Sequence, residues 1–165
     1  MHLTIVPKNR YSTGGYLQID DATLAFRNFE GRGDRYNREG DRNFSVRIFD
    51  QEVADALLAD VSEQGVAWNV KIKAPREEGE APYMHLPVKV RFNGRGPKVV
   101  LITNGNQREL DEESIACLDR IAIEKVDLDV RSYDDEANGR PFRAAYLDKM
   151  YVTQRVDRFV ERYDV

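Results

Sequence analysis

Histidine and cysteine are scarce in this chain of 165 residues, which holds two of the first and one of the second. A lone cysteine, Cys117, excludes an internal disulfide and fits a reducing, cytoplasmic compartment. His2, His85 and Cys117 show no local ligand spacing, so no metal site is expected of them. Ser114 has no neighbouring histidine and no nucleophile-elbow pattern, which argues against a hydrolase. No apolar run is long enough to cross a bilayer, and the opening MHLTIVPKNR lacks the basic-then-apolar order of a signal peptide. The glycine-rich stretch from Gly31 to Gly40 lacks the GxxxxGK[ST] pattern and does not run into a helix, which excludes a nucleotide-binding loop. The expectation is a non-enzymatic protein without cofactor, metal or membrane contact. Its 165 residues, 41% hydrophobic and 33% charged, suffice for one domain with a core, spanning 1–165.

Acidic residues are not scarce, but their spacing is uninformative. Asp111-Glu112-Glu113 reads as a helix start that complements the dipole. Asp127 and Asp129 share a strand face and suit a divalent ion, as in a nuclease, yet no partner Lys or Glu stands at a recognisable spacing. The net charge of -4 is uneven. Residues 71–108 hold eight Lys or Arg against three acids (+5), whereas residues 109–165 hold nine against fifteen (-6). Residues 48–70 add five acids and no base, so a basic middle lies between acidic flanks.

The most informative stretch is Ala22 to Phe49, a strand, a Gly/Arg-rich loop and a second strand. Alternation puts Thr23, Ala25, Arg27 and Phe29 on one face with Leu24 and Phe26 opposite, and sets Phe44, Val46 and Ile48 against Ser45, Arg47 and Phe49. Gly31, Gly33 and Gly40 are expected to leave the loop pliable. From Arg27 to Arg47 there are six arginines and four acids, a local +2. Guanidinium forks take phosphate oxygens and rings stack on any base, so a flexible hairpin of this composition suits a single-stranded nucleic-acid groove.

Elsewhere, His2–Val6 forms a short strand or stays loose, Tyr11–Gly15 turns, and Tyr16–Asp20 is a weak strand. Asp50 caps a helix carrying Val53, Ala54, Leu57, Leu58 and Val61, with Gly65 as its stop. Ala67–Lys73 and His85–Phe92 alternate, with Lys71, Lys73, Lys89 and Arg91 facing outward and Tyr83, Phe92 and Trp68 among them. Pro97–Thr103 is a buried strand, and Asp111 caps a short helix. Ile121 onward alternates with a slip of phase near Glu124-Lys125, where a bulge is expected, and Asn138-Gly139 signals a hairpin. Gln154–Val165 has helical spacing. Six or seven strands with two or three short helices, and no regular strand–helix alternation, predict a mainly β (α+β) fold. A strongly bent antiparallel sheet or partly open barrel of the OB type fits, with an N-terminal arm over 1–15 and a helical tail over 154–165.

Several segments resemble a family of phage-encoded single-stranded DNA-binding proteins. They are Ala25-Phe26-Arg27-Asn28-Phe29, the run from Tyr36 to Phe44, Trp68-Asn69-Val70-Lys71, the Asp111–Ile115 helix start, and Ala145-Tyr146-Leu147 through Tyr151-Val152-Thr153. The likeness extends over most of the chain from Ala22, with Val61–Ala67 standing as an insertion before Trp68. It implies an OB-like barrel that coats single strands in phage replication or recombination, in the cytoplasm of an infected bacterial host. The implied partners are single-stranded DNA, replication or recombination proteins, and further copies of the chain. The tail mixes Arg158 and Arg162 with Asp157, Glu161 and Asp164, and so departs from the acidic tails by which such proteins recruit partners.

The expected phosphate contacts are Arg27, Arg32, Arg35, Arg38, Arg42, Lys71, Lys73, Lys89 and Arg91. The expected stacking rings are Phe29, Tyr36, Phe44 and Tyr83, although alternation equally admits Phe44 to the core. The alternative is a phage protein-interaction module that inhibits a host enzyme or defence system through its acidic face, residues 48–60 and 109–136.

Overall fold

The computed structural model describes residues 1–7, 15–94 and 96–157. Alternating sequence becomes sheet wherever two strands can share a buried face. β1 (His2–Val6) pairs antiparallel with β2 (Tyr16–Asp20), so the opening residues are a strand and not loose. The turn expected over Tyr11–Gly15 lies, but for Gly15, outside the described residues. β3 (Leu24–Asn28) pairs with β4 (Arg42–Ile48). Asp50 caps α1 (Gln51–Ala59), its carboxylate accepting from the Glu52 amide at 2.9 Å, and Ala54 and Leu57 are buried beneath. The helix stops at Ala59, well before Gly65, because Asp60 turns extended and accepts the Trp68 indole N–H at 2.8 Å. Val61 bridges Ala67, so the segment between them is a small closed loop.

β5 (Lys71–Lys73) and β6 (Tyr83–Val90) follow, then β7 (Lys98–Thr103) and β8 (Asn106–Leu110). A single 3₁₀ turn, Ile115–Asp119, stands where a short helix was expected. The Asp111 carboxylate accepts from the amides of Glu113 and Ser114 and tightens the entry, and the short segment that follows takes the 3₁₀ form common in such connectors. The long β9 (Ile123–Ala137) and β10 (Arg140–Gln154) close on the Asn138-Gly139 turn, both residues at positive φ. Thr153 pairs with Lys125 and Gln154 with Ile123, so Glu124 is the extra residue of a bulge at the predicted slip. Among the described residues there is thus one α-helix, not two or three. Gln154 ends β10 and residues 155–157 are not helical, while most of the expected tail helix lies outside the described residues.

All ten strands join one sheet ordered β1-β2-β9-β10-β6-β4-β3, with β5 added to β6 and the β7–β8 pair added to β10. The two ends of that path, β1 and β3, do not pair, and the sheet stays open. It is not purely antiparallel: β10 runs parallel to β6 at Tyr146–Lys89 and parallel to β7 over Lys149–Thr153. One apolar cluster lies on one face, built from Phe44, Val46 and Ile48 of β4, Leu86 and Val88 of β6, Val126, Leu128 and Val130 of β9, and Met150 and Val152 of β10. The opposite face is left to polar, basic and aromatic side chains, and it positions the site.

Candidate nucleic-acid interface

The loop between β3 and β4 is closed by a set of side-chain-to-backbone hydrogen bonds that its glycines did not suggest. The Asn37 side-chain amide donates to the carbonyls of Arg32 (2.8 Å), Arg38 (3.1 Å) and Asp41 (2.9 Å), and its oxygen accepts from Asn43 at 2.8 Å. Asp34 accepts from the amides of Tyr36 and Asn37, and Gly40 N–H donates to Gly31 O at 2.8 Å. Gly31 is required here: its φ is +75°, and a Cβ would meet the Gly40 backbone at 3.1 Å. The Asp119 carboxylate binds the amides of Phe29 and Glu30 at 2.8 and 2.9 Å, fixing the loop to the 3₁₀ turn. From this frame Arg35, Tyr36 and Arg38 project into solvent, Tyr36 being 89% exposed with the Arg35 guanidinium 5.7 Å from its ring.

Three sequence-predicted contacts in the hairpin have other duties. Phe29 and Phe44 are 0% and 1% exposed and stack on each other at 5.1 Å, so neither is a surface stacking ring. Phe44 follows the inward alternation of β4, and for Phe29 the reason is a bulge: Ala25 pairs with Ser45 but Asn28 with Asn43, which puts one extra residue into β3 and reverses the alternation beyond it. Phe26, at φ 51°, is thrown out to 64% exposure, and Phe29 takes the inward place. Arg27 is likewise committed, donating from Nη1 to Leu118 O (2.7 Å) and Ile121 O (2.9 Å). Arg42 is half-buried, pairs with Glu112 at 3.5 Å and lies near the Phe92 ring. Arg32 remains exposed beside Glu30, 3.9 Å away.

The outward face of β4, β6 and β5 carries an arrangement that alternation reveals only in part. Arg47 pairs with His85, and Lys71 and Lys73 of β5 pair with His85 and Tyr83, so these five residues share one side of three neighbouring strands. The Arg47 guanidinium lies 3.8 Å over the Tyr83 ring and 4.5 Å from Phe49. Phe26 closes the cluster, 5.9 Å from Tyr83 and 5.1 Å from His85. His85 Nδ1 and Ser45 Oγ are 2.8 Å apart, and the imidazole is held below its ordinary pKa by burial first, then by Lys71 and Arg47. A base held neutral among cations gains its proton more readily once an anion arrives. The Arg47 Nε is buried without a hydrogen-bond partner, and the guanidinium is stacked on the Tyr83 ring.

Farther along β6 the same face continues through Lys89, which pairs with Asn43 on one side and Tyr146 on the other. Lys89, Arg91, Asn37, Gly40, Arg42 and Asn43 line a cleft of about 350 Å³, so the arginine loop and the basic middle of the chain do meet. Phe26, Arg47, His85 and Phe49 were not among the residues singled out from sequence. Arg47 was on the right face by alternation, whereas the exposure of Phe26 depends on a bulge that only pairing reveals.

The acidic residues gather elsewhere. Asp60, Glu63, Asp134, Asp135 and Glu136 line a cavity of about 640 Å³ with Arg143, which is bound to Asp134 (2.7 Å) and Asp60 (3.6 Å). Asp127 accepts the Asp21 amide and pairs with Lys125, and Asp129 is held above its ordinary pKa by burial and then by Asp148. Among the described residues no three His, Cys, Asp or Glu side chains converge as a metal site, and no helix is long and apolar enough to cross a membrane.

A family model described as "Putative phage ssDNA-binding domain" matches residues 7–165. No curated protein matches the chain. Among solved structures, the single-stranded DNA-binding protein from bacteriophage Enc34 in complex with ssDNA is similar at a TM-score of 0.50 and 13% identity, over 93% of this chain and 97% of that one. A second Enc34 structure gives 0.48 and 13% over 93% and 92%, and its C-terminal truncation 0.48 and 12% over 93% and 97%.

Proposed function

Because this chain belongs to the phage ssDNA-binding domain family, we propose that it is a non-enzymatic, sequence-tolerant single-stranded DNA-binding protein that coats ssDNA in phage replication or recombination. Its open sheet is then a partly open, OB-like barrel, a reading with which the fold likeness to the Enc34 structure is consistent. It acts inside the infected bacterial host, where replication or recombination proteins are its further partners.

One observation carries the assignment of the contact surface: the half-buried Arg47 guanidinium stacked at 3.8 Å on Tyr83, beside an exposed Phe26, on a strand face bordered by Lys71 and Lys73. A ring whose one side is occupied by Arg47 offers its edge and its neighbour Phe26 to a nucleobase. Such stacking tolerates any base and contributes roughly 1–3 kcal/mol for each one. The flanking Lys71, Lys73 and Lys89, with Arg35 and Arg38 from the loop, supply phosphate contacts that carry no sequence information. Neutralising each phosphate of a single strand releases condensed counterions, so affinity falls with salt. Arg27, Phe29 and Phe44 shape this surface from below and do not touch DNA.

The test is fluorescence anisotropy with a labelled oligo-dT and a duplex of equal length, each at two salt concentrations. Tight binding to the single strand that weakens with salt, and is weaker for duplex, supports the reading. Absence of binding at low salt refutes it.

A further inference from the structure

Beyond the Phe26–Tyr83–Arg47 platform, the same face holds a second cluster that the platform does not explain. Tyr146 of β10 sits directly across from Lys89 of β6 on one side and Arg131 of β9 on the other. Two guanidinium groups converge on its ring, Arg131 at 5.0 Å and Arg91 at 5.4 Å, with Tyr133 packed edge-on at 6.1 Å. Both arginines are exposed, and neither has a carboxylate within ion-pair distance among the described residues. The two guanidinium groups on one ring repel each other, with Lys89 on the neighbouring strand adding to the local positive charge, and an anion held between them would offset that repulsion. Arg91 falls in the basic segment read from sequence. Arg131 sits in the acidic third of the chain, and only the β9–β10–β6 pairing brings it to this place.

Resting on the single-strand reading above, we propose that Arg91, Arg131 and Tyr146 form a second contact for the same DNA strand, a phosphate clamp at the far end of the face. From Tyr83 to Lys89 the track runs six residues of β6, about 20 Å at the rise of an extended strand, and then crosses β10 and β9. A strand that leaves the platform therefore passes Lys89 and enters between Arg91 and Arg131. The clamp takes a phosphodiester and not a base, because Tyr146 is almost wholly covered by its two guanidinium groups and by Tyr133. Guanidinium suits this task better than ammonium, since its planar fork meets two phosphate oxygens at once.

A ladder of dT oligonucleotides from about 4 to about 16 nucleotides, the range of sites on OB folds, separates the two contacts. In Arg91→Ala/Arg131→Ala the shortest oligonucleotides bind as they do to the unaltered protein, while the gain in affinity with length is lost. The slope of log affinity against log salt becomes shallower by about 1.4 for the long strands, about 0.7 for each contact. The Arg91→Ala single variant leaves the β9–β10 hairpin untouched and shows about half that change, and melting temperature checks the fold of each. Equal loss at every length, or unchanged length and salt dependence, overturns the clamp while platform-dependent binding leaves the single-strand reading standing. If the unaltered protein binds no oligonucleotide of any length, both fall together.

Discussion

Replacing Phe26 by glycine separates binding from stability, because the two respond to different properties of one residue. The ring is 64% exposed, so its removal uncovers little apolar surface. What the fold loses is its two tilted ring contacts to Tyr83 and His85, about 0.5 kcal/mol each for so exposed a ring, the low end for aromatic pairs. What it gains is relief of a left-handed backbone at φ 51°, which costs a side-chain-bearing residue about 1–2 kcal/mol and glycine almost nothing. Glycine's greater freedom in the unfolded chain takes back about 0.5–1 kcal/mol. These terms nearly cancel, so Phe26→Gly is expected to melt within a few degrees of the unaltered protein. Binding has no such compensation. Loss of one stacked base removes roughly 1–3 kcal/mol, a fall in affinity of about 5- to 150-fold. The assay is oligo-dT anisotropy at fixed salt, beside thermal unfolding of the same preparations. Full affinity in a well-folded Phe26→Gly protein would refute the platform. A large loss of stability would show that the bulge is held by the ring and not by the pairing around it.

Arg35→Ala/Arg38→Ala should weaken oligo-dT binding whatever the base composition and flatten the salt slope by about 1.4, with melting unchanged; an unaltered slope removes the loop from the interface. Asp119→Ala strips the acceptor from the amides of Phe29 and Glu30, and is expected to cost about 2–3 kcal/mol and lower the melting temperature by about 4–12 °C. Chemical denaturation of that variant showing no loss would mean that these amides find water instead. Since the folded state holds His85 below its ordinary value of 6.5, the unfolded chain takes the proton first. Stability is therefore full above pH 6.5 and declines as the pH falls from there towards the folded value, and His85→Gln abolishes that part of the pH profile. Over the same window oligo-dT affinity should rise on acidification, as the protonated imidazole joins Arg47 and Lys71; a flat affinity profile excludes His85 from the strand's path.

Where the reading from sequence succeeded, a local period decided the structure. The inward triplet Phe44, Val46 and Ile48, the Asp50 cap, the bulge at Glu124 and the Asn138-Gly139 turn are each set by a few adjacent residues. Where it failed, the deciding partner was distant. The bulge at Phe26 is defined against β4, the commitment of Arg27 lies in carbonyls some ninety residues away, and Arg131 reaches the basic face only through β10. β8, reading Asn-Gln-Arg-Glu-Leu, carries no strand period of its own and forms because β7 offers it an edge. The glycines of the loop suggested freedom, whereas the asparagine and aspartate side chains between them use that freedom to close a bonded frame.

That frame, centred on the Asn37 amide, divides the loop into two populations of residues with separate obligations. Asn28, Asp34, Asn37, Glu39 and Asn43 spend side-chain polar atoms on the backbone, while the side chains of Arg35, Tyr36 and Arg38 hold none of these bonds. The three projecting positions therefore behave as an exchangeable cassette. Acidic residues set there would reverse the charge that the loop presents without redrawing its outline. A single change of Asn37 to aspartate, which cannot donate to three carbonyls, would erase the outline while leaving the three projecting side chains themselves unaltered.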